Sequence, residues 1–388
     1  MKWVLHTIKY HPLNISLNDT NVPAMDETMK YTYNLRFLLP VFSTLLAPEN
    51  AVYLHKFTKS GALSLTIIAL SNDNNDVRAA ACNVISRFHY HMEAKQNSKD
   101  KALWLRFVDA LCKGTSVIKD LKLNNFVTIF LARTALILTK PLDVMYVPLC
   151  RYLSARVVLN FDTVPELYTL LHSCDVKFKD HRTFVMEVLR DGLRTSSDFE
   201  TASHAMSFKL IMEQFSSQIC DVDMKLSILN TLKSVSILPP NIVHLCSYSG
   251  LLPWLSQIIS TSLDYNFLKI ILEIIFNISK CLKQLQTHDF DIVPLILSNI
   301  ITNIPKYKLS DDDFVMLLKT IIMVFEKYPQ FLPESELKYI ISLTNCKECE
   351  YLLTYGSEFI VFDFDMENTR DVWYYVKYLT LKWMNEKM

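Results

Sequence analysis

Cys346-Lys347-Glu348-Cys349 has the two-residue spacing with which a pair of thiolates can share a zinc ion or close a redox disulfide. A structural zinc site needs two more ligands, and the sequence offers no second CxxC and no suitably spaced histidine pair. His89-Tyr90-His91 sets two imidazoles two residues apart; on a helix they point away from each other, which suits a surface pair and not a metal clamp. Asp311-Asp312-Asp313 follows Ser310 at an evident helix start, where capping and the helix dipole account for three consecutive carboxylates. No GxSxG, HExxH, P-loop or GxGxxG pattern occurs, and the five glycines (Gly61, Gly114, Gly192, Gly250, Gly356) are too dispersed to build a phosphate cradle. These residues point to no enzyme, no metal, no cofactor and no small-molecule substrate.

Cationic residues are the remaining chemistry. Lys95, Lys99, Lys101, Arg106, Lys113, Lys119 and Lys122 outnumber Asp100, Asp109 and Asp120 between them. Arg182, Arg190 and Arg194 fall at spacings that place them along one helix and its end. A solvated helix surface explains both groups; phosphate contact is the sharper reading. The candidate partner or RNA contacts are therefore Arg87, Lys99, Lys101, Arg106, Arg182, Arg190 and Arg194.

Any such contacts must be held by the helices around them. Phe57 to His89 reads as two apolar helices joined by a polar turn: Ala62, Leu63, Leu65, Ile67, Ile68 and Leu70 recur at helical spacing. Ser71 to Asn75 forms the turn, and Asp76 is placed to cap a second helix carrying Val77, Ala79, Ala80, Val84, Ile85 and Phe88. Met206 to Val235 repeats the pattern without a gap, Ser216 falling on Ser71 and Asp221 on Asp76, and Gly250 to Cys281 repeats it again. Met206 to Gly250 is 250 − 206 = 44 residues, a period of armadillo or HEAT repeats. One helix pair cannot cover its own apolar face, so stacked pairs make the core. The expected fold is all-α, an α-solenoid, with one short strand at Phe359 to Asp365 near the C-terminus.

Composition agrees with that architecture and limits the partners. Half of the 388 residues are hydrophobic, and 40 Lys and Arg balance 40 Asp and Glu, so the overall field draws the chain to neither nucleic acid nor anionic lipid. Nine cysteines, with Cys82, Cys112, Cys150, Cys220 and Cys281 inside apolar helical patterns, read as reduced buried thiols. The opening residues are too interrupted by Lys2, His6, Lys9 and His11 for a signal-peptide core, and no apolar run reaches the ~18 residues of a membrane span, so no membrane is expected.

In order, residues 1–30 read as a loosely ordered lead-in, 31–345 as the armadillo/HEAT-like repeat domain and 346–388 as a C-terminal capping segment. Leu35, Phe37, Leu38, Val41, Phe42, Leu45 and Leu46 are expected on one helical face, closed at Ala47-Pro48. Further helices are expected from Lys101 to about Leu111, Asn125 to Leu138, Asp143 to Leu153 and Glu334 to Leu343. Asp162 or Thr163 is placed to cap a helix at Val164-Pro165, Asp180 to cap the next, and Gly192 to end it or admit a close neighbour.

The strings Leu35 to Phe88, Pro141 to Leu153, Val164 to Arg194 and Phe215 to Asp221 resemble the C-terminal region of the nucleolar pre-ribosomal-associated protein family. The resemblance covers roughly Tyr31 to Ser260 and fades beyond. It implies a non-enzymatic nucleolar scaffold for early large ribosomal subunit assembly and pre-rRNA processing. Its implied partners are other large-subunit assembly factors, among them a DEAD-box helicase, with pre-rRNA as a candidate. Family members are much longer, so the chain is expected to correspond to their C-terminal part. No Lys/Arg-rich import signal is visible, leaving nuclear entry to other sequence or to a partner. The alternative is an armadillo-like adaptor for transport or signalling. Asn83, Arg87, Glu273 and Asn277 on the second helices come with no tryptophan ladder, which disfavours a cargo-peptide groove.

Overall fold

In a computed structural model the chain is all-α, of the helical-repeat solenoid class, and no strand occurs among the described residues, which are 2–15, 29–95, 101–116, 122–155, 159–204, 206–260, 264–282, 292–303 and 310–327. The CxxC pair, Lys99, the Phe359–Asp365 segment and the Glu334–Leu343 helix lie outside them. No single helix among these residues is long and apolar enough to cross a membrane, and no group of three His, Cys, Asp or Glu is placed to hold a metal ion. The chain divides into two units, Met1–Ser207 and Phe208–Met388.

The first unit contains α1 (Lys2–Tyr10), α2 (Leu35–Leu45), α3 (Leu54–Lys59), α4 (Ala62–Ile68, continued by a 3-10 turn at Ala69–Ser71) and α5 (Asn75–Ala94). It goes on through α6 (Lys101–Ser116), α7 (Asn125–Leu138), α8 (Tyr146–Ala155), α9 (Leu167–Leu171), α10 (Phe178–Gly192) and α11 (Ser196–His204). Its centre is α7, a charge-poor helix carrying buried residues on every side, as expected for a helix with no solvent face. Helices α1, α4, α8 and α10 pack around it, and α2 and α6 pack on α5. Gly192 makes the α7–α10 crossing possible, because a Cβ there would lie 2.5 Å from Phe126 Cα. Gly61, left-handed at φ +86, breaks the chain between α3 and α4, with Val4 against it.

The second unit contains α12, which begins at the boundary (Ser207–Ser216), α13 (Val222–Val235), α14 (Pro239–Ser247), α15 (Leu251–Ser260), α16 (Tyr265–Leu282), α17 (Val293–Asn303) and α18 (Asp311–Lys327). Helices α13, α16 and α18 stack in one row and α15 packs on α17, so helices meet their counterparts in the next pair, as solenoid repeats do. The three copies read in the sequence are α4–α5, α12–α13 and α15–α16.

Local details depart from the sequence reading in physically clear ways. Helix α1 occupies what reads as a loosely ordered lead-in: its polar residues face out, while Val4, Thr7 and Ile8 face in against α4 and α7. On α2 the expected single face is two faces, with Leu35, Leu39 and Phe42 buried and Phe37, Val41 and Leu45 exposed. The cap of α5 is Asn74, whose side chain accepts from Asp76 N at 2.8 Å, so Asp76 lies in the first turn. Asp180 likewise sits inside the first turn of α10, which begins at Phe178. Helix α9 starts after Glu166 in left-handed geometry, not at Val164-Pro165. Asp221 caps α13 through Met224 N at 3.0 Å, as read from the sequence.

Candidate partner-contact surface

The cations singled out by the sequence turn mostly toward helix ends. Arg182 Nε donates to the Leu171 carbonyl (2.8 Å) at the end of α9, with its guanidinium 4.8 Å from the Phe178 ring centre. Arg106 Nε donates to Leu153 O (3.1 Å) in the last turn of α8, and Lys101 Nζ to Glu93 O and Lys95 O (both 2.7 Å) at the end of α5. Arg87 donates to Ser43 O in the last turn of α2. Arg194 bonds Asp191 O (3.2 Å) in the last turn of α10 and His11 O (2.6 Å) just beyond α1.

Five of the seven candidates thus give charged donors to the carbonyls that a helix leaves open at its C-terminus, where the dipole also favours a cation. Sequence reasoning missed this because each acceptor is a backbone oxygen, invisible in side-chain types. Arg182, 5% exposed, has little surface left for a ligand.

Arg190 differs. Its Nε lies 3.0 Å from Asp191 Oδ1, and burial, outweighed by the bond and charge of Asp191 and by the charge of Glu187, leaves its proton held more tightly than usual. Asp191 is also 2.8 Å from Arg133 Nη2 and 3.6 Å from Lys9 Nζ, so one buried carboxylate gathers three cations from α1, α7 and α10. Beside it, Asp198 accepts from Asn125 N (2.7 Å) and Thr195 Oγ1 (2.7 Å); burial nevertheless pushes its carboxyl above the usual range. His11 is buried against the same knot. Its Nδ1 is 3.0 Å from the Ile8 carbonyl, which can only accept, so the proton sits on Nδ1 and Nε2 faces Ser71 Oγ at 3.2 Å. Burial, reinforced by Arg194, holds this imidazole down to about 3.

Helices α1 and α2 each carry an exposed surface. Along α2, Phe37 (68% exposed), Val41 and Leu45 form an apolar stripe about 12 Å long. Beside it, Trp3, Tyr31 and Tyr33 pack ring on ring, with Trp3 centred 5.7 Å from Tyr31 and 6.0 Å from Tyr33. Tyr33 N donates to Thr7 Oγ1 (2.9 Å), fixing the entry to α2 against α1. His89 and His91 go to separate partners, Asp109 at 2.8 Å and the Leu46 and Ala47 carbonyls at 3.2 Å, and share no ligand position. The seven described cysteines are free thiols; of the five expected to be buried, Cys220 and Cys281 are, Cys82 and Cys150 are half-buried and Cys112 is exposed, and partial desolvation raises the thiols of Cys82, Cys112, Cys150 and Cys281.

The family model of nucleolar pre-ribosomal-associated protein 1 matches residues 63–254, from α4 into α15. Nucleolar pre-ribosomal-associated protein 1 of Mus musculus is 31% identical over 268 residues, 67% of this chain and 12% of its own length. The chain belongs to the nucleolar pre-ribosomal-associated protein 1 family. The relative in Homo sapiens that carries the same name is 31% identical over 229 residues, 59% of this chain and 10% of its own. This member thus spans about a tenth of the length of the relatives it matches. A crystal structure of an engineered protein aligns with 98% of the chain and 89% of its own length at TM-score 0.39 and 14% identity, a likeness too slight to bear on the fold. The described cations of the candidate set lie inside the span of the family match, and the α1–α2 surface lies before it.

Proposed function

We propose that this chain is a non-enzymatic nucleolar scaffold in early large ribosomal subunit assembly, acting through contact surfaces that its helical stack holds in place. The observation that carries the reading is membership of a family whose name places it with pre-ribosomes in the nucleolus. The structure supplies a fitting device. Helix α2 carries a single charged residue and is apolar on two faces, one packed on α5 and the other exposed. Its outer stripe of Phe37, Val41 and Leu45 at i, i+4 and i+8 matches the apolar edge of a helix from another assembly factor, and its lack of charge suits protein and not phosphate. A DEAD-box helicase is among the candidate assembly-factor partners, and pre-rRNA is a second class of partner.

Proximity labelling from the tagged chain tests this. Enrichment of nucleolar large-subunit assembly factors supports the scaffold; enrichment of cytoplasmic cargo or receptors without them overturns it in favour of a transport or signalling adaptor.

A further inference from the structure

We infer that the outward face of α1, with Tyr31 and Tyr33, is a stacking platform for unpaired bases of single-stranded RNA. Helix α1 turns Val4, Thr7 and Ile8 inward, and this leaves Lys2, Trp3, Leu5 and Tyr10 exposed and His6 and Lys9 half-buried. Their rings form a continuous row. Tyr10 lies 4.7 Å from His6, His6 6.2 Å from Tyr31, Tyr31 5.7 Å from Trp3 and Trp3 6.0 Å from Tyr33. Edge-to-face and tilted neighbours hold each ring at a fixed angle, while Trp3 stays 50% and Tyr31 48% exposed. A ring fixed by its neighbours loses little freedom when a base stacks on it.

The charge around the row selects the occupant. Described residues 2–15 and 29–48 contain Lys2, Lys9, Lys30 and Arg36 and no Asp or Glu, and the exposed carboxylate at the Tyr10 end, Glu187 of α10, is engaged by Arg133 at 2.6 Å. At the Tyr10 end, Lys9 Nζ sits 5.1 Å from the Tyr10 ring centre and 3.6 Å from Asp191, which Arg190 also engages at 3.0 Å. The carboxylate beneath them, Asp191, is already shared among three cations and hidden from solvent. Exposed rings with cations on the same segments fit bases and phosphates; an acidic protein segment would use the cations and leave the ring faces without a partner. The inference rests on the scaffold reading only for the identity of the RNA, since the platform itself follows from residues 2–33.

Fluorescence anisotropy of the full chain with a labelled 12-nucleotide single strand of mixed sequence tests it. Binding is expected to be tighter than to the duplex of the same sequence and to quench part of the tryptophan emission, a quench that Trp3→Leu abolishes. Trp3→Leu and Tyr31→Leu, which keep apolar volume and remove the ring, are each expected to weaken binding about tenfold or more with an unchanged melting temperature. Lys30→Ala is expected to weaken binding and flatten its salt dependence by about one phosphate. Should Trp3→Leu or Tyr31→Leu melt early, Tyr33→Leu serves in its place with the same expectation. Ring variants that bind as the unaltered chain does, equal affinity for the duplex, or displacement of the RNA by poly-glutamate with no ring dependence would each overturn the platform; the last would assign the face to an acidic protein. These measurements use purified components, so their failure leaves pre-ribosome association in cells intact.

Discussion

Arg194 donates a 2.6 Å hydrogen bond from Nη1 to the main-chain carbonyl of His11, 183 residues earlier in the chain. One side chain thereby binds the end of α1 to the end of α10, whose Asp191 carbonyl it also reaches. The aromatic row and the α2 stripe depend on this latch, because α1 carries the first and, through Thr7 and Tyr33, aligns the second.

Removing the latch should free α1. Arg194→Ala is expected to cost about 1.5–3 kcal/mol and to raise hydrogen exchange across residues 2–15 above that across α13. A variant that loses RNA binding while melting and exchange stay unchanged would instead make Arg194 a ligand contact.

His11 predicts an acid-sensitive stability. Its folded value, about 3, lies below the ordinary 6.5 because burial and then Arg194 disfavour the imidazolium. Above pH 6.5 both folded and unfolded forms are neutral and His11 contributes no slope. From 6.5 down toward 3 the unfolded chain binds a proton that the folded chain refuses, so stability falls as pH falls, by about 1.4 kcal/mol per unit. Urea unfolding of the chain and of His11→Gln between pH 7 and 5 should show the slope reduced by about that amount in the variant.

Asp191→Asn should be severe. It leaves Arg133, Arg190 and Lys9 around a neutral amide, and Arg133 is largely buried. A loss of about 3–5 kcal/mol is expected by chemical denaturation. Glu187→Gln, whose carboxylate is far more exposed, should cost under about 1 kcal/mol.

Gly192→Ala tests the close crossing of α7 and α10. The new methyl would meet the Phe126 backbone, which cannot rotate away, so a loss of at least about 2 kcal/mol is expected in thermal unfolding. Gly250→Ala has open space around it and should lose only the cost of its left-handed backbone, about 1 kcal/mol.

The helix pairs were legible because apolar residues at three-and-four spacing record burial directly: Ile67, Ile68, Val84 and Phe88 are all enclosed. Capping was legible where Asp221 and Ser310 stand at true helix starts. Ser310 Oγ donates to Asp313 Oδ2 at 2.6 Å and accepts from Asp313 N at 3.3 Å. It misled at Asp76, because Asn74 offers the same geometry two residues earlier. Helix α1 was obscured by its own outward face, since Lys2, His6 and Lys9 hide the inward spacing of Val4 and Ile8. Arg87, Arg106, Arg182 and Arg194 look like ligand contacts by residue type, yet their acceptors are carbonyls on other helices, and no local pattern records that.

The most direct test of the scaffold is sedimentation of the tagged chain from nucleolar extract on a density gradient. The chain is expected to migrate with large-subunit precursors, nuclease to release it from them, and Phe37→Asp with Val41→Asp to shift it toward the top of the gradient while the fold is kept. Migration with none of these particles, or unchanged migration of the folded double variant, would contradict the account.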